Sequence, residues 1–101
     1  MARPTITAVR DKRLDAMSDD ERAEFDEALT AARLALEVGE QVRDARETAG
    51  LTQRQLATRM ATSQAAVARL EAGGTSATLA TLQKVAAALD MKITVNLAPA
   101  R

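Results

Sequence analysis

Two hydroxyls eleven residues apart, Thr52 and Ser63, carry the clearest local chemistry in the chain. Each can accept a hydrogen bond from the free amides of a helix that begins just after it. Covalent chemistry has few candidates. The 101 residues include no Cys and no His, which removes disulfides, thiolate and imidazole metal ligands, and the commonest pairs of base and nucleophile. The carboxylates, hydroxyls and amines show no catalytic spacing. Gly73 and Gly74 stand alone at a helix end, not in a loop that could cradle a phosphate. The expectation is a binding protein with no enzymatic activity and no cofactor.

The caps define the elements that must hold them. Thr52 starts a short helix carrying Leu56, Ala57 and Met60, and Ser63 starts another carrying Val67 and Leu70, which ends at Gly73 and Gly74. Upstream, Ser18 followed by Asp19, Asp20 and Glu21 reads as a capping box. Phe25, Leu29, Ala32 and Leu36 then recur at helical spacing, and Val38, Val42, Ala45 and Ala49 continue the stripe to a stop at Gly50. Gly39 leaves open one long helix or two. Downstream, Thr78 caps a helix whose apolar face is Leu79, Leu82, Val85, Ala86 and Leu89; Val67, Leu70, Leu79 and Leu82 are expected in the core. The period then changes: Met91, Ile93, Val95 and Leu97 alternate with Lys92, Thr94 and Asn96 as in a half-buried strand, ended by Pro99.

Apolar residues make up 47% of the chain, but Phe25 is the only aromatic, so a core of small residues on short helices is expected. No apolar run approaches the roughly 20 residues needed to cross a bilayer, and residues 1–13 lack the stretch of a signal peptide. A soluble, cytoplasmic protein is expected. Net charge is zero, yet residues 1–50 carry 12 acidic and 8 basic side chains, whereas residues 51–101 carry 2 acidic and 6 basic. Halves of opposite sign suit two partners of opposite charge.

A helix that docks in the major groove needs a crossing helix at a tight angle, with a small residue where the backbones meet and apolar residues locking the pair. Ala57, Val67 and Leu70 meet those demands. The runs GLTQRQLA at 50–57, SQAAVARLEAG at 63–73 and TLATLQKVAAAL at 78–89 resemble the lambda-repressor-like (Xre/Cro) helix-turn-helix family over roughly residues 36–90. Ala61 stands where that family commonly has a glycine, which puts strain on the turn, and Ala77 where it commonly has a proline. The resemblance implies a mainly α bundle in which Gln64, Ala65, Ala66 and Arg69 face the groove. Arg69 would contact guanine, and Gln64 adenine or a phosphate. Gln53, Thr62 and Ser63 would position the module on phosphates, with Arg54 and Arg59 adding charge. An adaptor that keeps the fold but binds only protein is the rival reading.

A single strand cannot satisfy its own backbone. The expected partner of residues 91–97 is the same strand of a second subunit, which would bury Met91, Ile93, Val95 and Leu97 and imply a homodimer on a palindromic operator; the competing partner is Ile6–Val9 of the same chain. From Asp15 to Glu40 nine acidic residues face only Arg22 and Arg33, a net −7. Such an arm suits a basic protein surface, or is simply a solvated helix face. The N-terminal extension and the ALDMKITV tail resemble HigA-type antitoxins of toxin–antitoxin pairs. That resemblance implies a RelE/HigB-like toxin that cleaves messenger RNA, contacted through Asp20, Glu24, Phe25, Glu27 and Leu29, and repression of the protein's own operon. A repressor without a toxin partner would share every DNA residue. The expected organisation is a flexible arm (1–15), an acidic partner-binding helix (16–37), a DNA-binding domain (38–90) and a dimerisation strand with tail (91–101).

Overall fold

The computed structural model describes residues 16–74 and 77–100, and the chain divides into two compact units, Met1–Ala32 and Arg33–Arg101. The expected arm at 1–15, with its Ile6–Val9 segment, lies outside the described residues. Four α-helices follow in order among those residues: α1 Asp19–Thr48, α2 Gln53–Arg59, α3 Gln64–Glu71 and α4 Leu79–Ala88. None is long and apolar enough to cross a membrane.

Each start is set by a hydroxyl. Thr52 accepts from the Gln55 amide while the Gln55 side chain accepts from the Thr52 amide, a complete capping box. Ser63 accepts from Ala66 N and Thr78 from Thr81 N. At Ser18 the hydroxyl accepts from Glu21 N at 3.2 Å, the first half of the box expected there. Asp19, Asp20 and Glu21 lie at the positive end of the α1 dipole.

The four ends share one motif. The residue after each C-cap has positive φ: Gly50 at 75°, Ala61 at 55°, Gly73 at 74° and Asp90 at 56°. In every case its amide, and the amide after it, donate back into the last turn, as in Gly73 N to Leu70 O and Gly74 N to Arg69 O. The expected strain at Ala61 is therefore real, since its Cβ occupies a left-handed turn that glycine enters freely.

In the first unit, Phe25 and Leu29 are half-buried, and Asp20, Glu24 and Glu27 are exposed. In the second, the core is Val42 of α1, Leu56 and Ala57 of α2, Val67 and Leu70 of α3, and Val85 and Leu89 near the end of α4. Leu56 and Val67 are 0% exposed. Leu82 packs against this cluster, but Leu79 does not belong to it and is 67% exposed. The reason is its place: Leu79 opens α4 on the flank it shares with Ala86, where it borders a groove with Gln83, Met91, Ile93 and Val95 instead of the core.

Gly39 does not divide α1. The helix runs through it, and the residue is buried against the end of α3. A Cβ built there would lie 2.5 Å from Glu71 O and 2.7 Å from Leu70 O, both backbone atoms that cannot rotate aside. The glycine thus lets two helix backbones meet. Residues 91–100 are neither helix nor strand in the single chain. The alternating segment has no partner strand among the described residues, and its backbone has no ladder to join. Ile93 is half-buried, whereas Met91, Val95 and Leu97 are exposed, Leu97 to 98%.

Candidate nucleic-acid interface

The helix α3 has two faces. Val67 and Leu70 anchor one in the core, and Glu71, one turn beyond Val67, continues that face. Gln64, Ala65 and Arg69 are exposed on the other, with Ala66 half-buried at its edge. Ser63 takes up the Ala66 amide at 3.1 Å, which fixes where the first turn begins.

An ion pair holds the carboxyl end of α3. Arg46, near the end of α1, donates from Nε to Glu71 Oε2 at 2.7 Å and from Nη2 to Oε1 at 3.0 Å; its Nη1 donates to Leu51 O at 2.8 Å. The Gln53 amide adds a fourth hydrogen bond, to Glu71 Oε1 at 3.2 Å. The side chains are 11% and 4% exposed. Burial pushes the Glu71 carboxyl up, but the hydrogen bonds from Arg46 and Gln53 and the charges of Arg46 and Arg43 outweigh it, leaving its pKa below the ordinary value. The bond to Glu71 likewise holds the Arg46 guanidinium above its ordinary value, against the effect of burial. Three segments, the end of α1, the start of α2 and the end of α3, are tied at one carboxylate.

The pair also shapes the surface charge. Glu71 is the only acidic residue in 51–74, and it is neutralised by Arg46, so Arg54, Arg59 and Arg69 face no competing carboxylate within that segment. Two concavities flank α3. One is bordered by Gln53, Arg54 and Gln64 beside Thr52, and the other by Thr62, Ala66 and Arg69 beside Thr81. The first hollow carries the charge of Arg54, whereas the lining of the second includes the apolar Met60, Val67, Leu70 and Ala77 beside Arg69.

The structure thus places Gln53, Arg54 and Gln64 on one flank and Thr62, Ala66 and Arg69 on the other, with Ala65 exposed and Ser63 at the helix start. Gln53 is half-buried and spends an amide donor on Glu71, so it also has an internal role. Arg59 is drawn elsewhere: its Nη1 donates to Ala88 O at 3.2 Å and so satisfies a carbonyl at the end of α4. The Arg46–Glu71 pair escaped the sequence reading. A signal was available, since each residue stands four beyond a core valine, Val42 or Val67, and so extends a buried face with opposite charge.

A family model described as helix-turn-helix matches residues 42–96, more than half of the chain. No curated protein and no solved structure matches it.

Proposed function

Because the chain belongs to the helix-turn-helix family, we propose that α3 docks in the major groove of an operator and that the protein represses transcription as a dimer. The family is a DNA-binding one, and the chain is a sequence-specific DNA-binding regulator. The observation that carries the docking is the pinned helix: α3 is fixed from behind by Val67, Leu70 and the Arg46–Glu71 pair while its other face stays open between two hollows. Electrophoretic or anisotropy titrations against duplex DNA at several salt concentrations test it. A slope of log K on log salt equivalent to several phosphates is expected, and affinity independent of salt would refute the reading.

Dimerisation through Met91, Ile93, Val95 and Leu97 is part of the proposal. It is supported by the exposure of Met91, Val95 and Leu97 on a segment with strand periodicity and by the need of recognition helices for a spacing of roughly 34 Å. Sedimentation of the Val95→Asp, Leu97→Asp variant should give monomers where the unmodified chain gives dimers.

The second partner is a protein, in this proposal a basic RelE/HigB-like toxin held by the acidic start of α1. Support comes from the net −7 between Asp15 and Glu40 and from Asp20, Glu24 and Glu27 lying exposed around half-buried Phe25 and Leu29. Co-expression with the product of an adjacent reading frame, if that frame encodes a small basic ribonuclease, should yield a complex that Phe25→Asp, Leu29→Asp disrupts. A complex indifferent to both substitutions would remove the arm from the account.

A further inference from the structure

We infer that the hollow beside Arg69 binds a small aliphatic monocarboxylate and that the bound acid competes with DNA for that arginine. The hollow lies where the α2–α3 turn, α3 and the start of α4 meet, and its volume of about 220 Å³ admits only a molecule smaller than most drug-sized ligands. Its apolar lining comes from Met60, Val67, Leu70 and Ala77. Val67 and Leu70 are core residues, 0% and 5% exposed, so this wall is held in place by the packing behind it. A phosphate gains nothing from such a wall, whereas an alkyl chain placed against it leaves water.

The polar end of the hollow is supplied by Arg69, Thr62 and Thr81. Arg69 is exposed and makes no ion pair among the described residues, so its guanidinium is available to a carboxylate through two parallel hydrogen bonds. The Thr78 and Thr81 hydroxyls lie 3.0 Å apart, and with Thr78 as the donor the Thr81 proton is left for the ligand. One cation beside an apolar space selects an acid with a single headgroup, since a second carboxylate would be buried against Val67 and Leu70 without a partner. Binding of the acid needs nothing from the DNA-binding reading. The competition does rest on it, because Arg69 and Thr62 belong to the face proposed to meet the operator.

Acetate, butyrate and hexanoate, each titrated into the full chain at constant ionic strength and followed by amide and methyl chemical shifts, test the site. Saturable shifts are expected at Met60, Ala77 and Thr81, with affinity rising about fourfold per added methylene until the hollow is full. Hexanol keeps the chain without the charge and inorganic phosphate keeps the charge without the chain; each should bind more weakly than hexanoate by on the order of tenfold or more. Arg69→Gln should weaken hexanoate by a similar factor, and Ala77→Leu should abolish its binding by filling the space. Saturating hexanoate should weaken duplex DNA binding by on the order of tenfold, with acetate at the same concentration leaving it unchanged. Shifts that stay linear with concentration, hexanol or phosphate binding as tightly as hexanoate, or shifts confined to Leu79, Met91 and Val95 would overturn the site. Saturable binding that leaves DNA affinity unchanged would overturn the competition alone. Failure to bind DNA with or without the acid would remove the DNA-binding reading and leave the site standing.

Discussion

Arg46 and Glu71, 25 residues apart, face each other through two parallel hydrogen bonds of 2.7 and 3.0 Å, and no other pair of charged side chains among the described residues is as buried. Removing one partner leaves the other charged in a site from which water is largely excluded. Arg46→Ala or Glu71→Ala should therefore cost about 3 kcal/mol or more, a large share of the stability of so small a domain. Chemical denaturation measures it, and a loss below about 1 kcal/mol would contradict the packing described.

The same carboxylate sets an acid limit. Its folded-state pKa lies below the ordinary value, so the unfolded chain binds the proton more readily. The contribution is fully present above the unfolded glutamate range, about 4.3, and is lost as pH falls through the lowered folded value. Stability followed from neutral to acid pH should drop in that window. The Glu71→Gln variant, less stable at neutral pH, should lack this component of the slope.

Gly39 separates helix propensity from packing. In an isolated helix Gly→Ala is worth about 1 kcal/mol of added stability. Here the new methyl would meet two carbonyl oxygens of α3 at 2.5 and 2.7 Å. Gly39→Ala should instead destabilise, by about 1 kcal/mol or more, and should weaken DNA binding through a displaced α3. A stabilised variant with unchanged affinity would show that the two helices do not approach as described.

Those two features mark where sequence reading stops. Caps at Thr52, Ser63 and Thr78, and the apolar faces they introduce, depend on residues within one or two turns, so the helices and most of the core around Val67 and Leu70 were legible. Gly39 could not be interpreted because its reason is a carbonyl 32 residues away. Leu79 fits the apolar pattern of α4, yet periodicity does not tell whether anything covers the first turn. At the interface, the resemblance selected the exposed face of α3, but only the fold separates Gln64 from Arg69 by flank and draws Arg59 away to Ala88. The segment 91–97 has strand periodicity without a strand, because pairing requires a second strand that the single chain does not provide among its described residues.

Ala61, with φ of 55°, holds a conformation in which a Cβ is unfavourable. Ala61→Gly should raise stability by about 0.5–1 kcal/mol, the relief of strain being partly offset by the greater freedom of glycine in the unfolded chain. Affinity for DNA should be unchanged. Asp90→Gly, at a φ of 56°, should gain less, because aspartate tolerates the left-handed region better than alanine. Thermal or chemical denaturation of the two variants checks the order.

The central claim is that the exposed face of α3 reads sequence. Competition binding decides it most directly: the unmodified chain and Arg69→Ala are each titrated against a selected operator and against a scrambled duplex of equal length and composition. The account predicts that the variant keeps its helical circular-dichroism signal and denaturation midpoint, still binds both duplexes with a steep salt dependence, and loses most of its preference between them. Full discrimination by Arg69→Ala would contradict it.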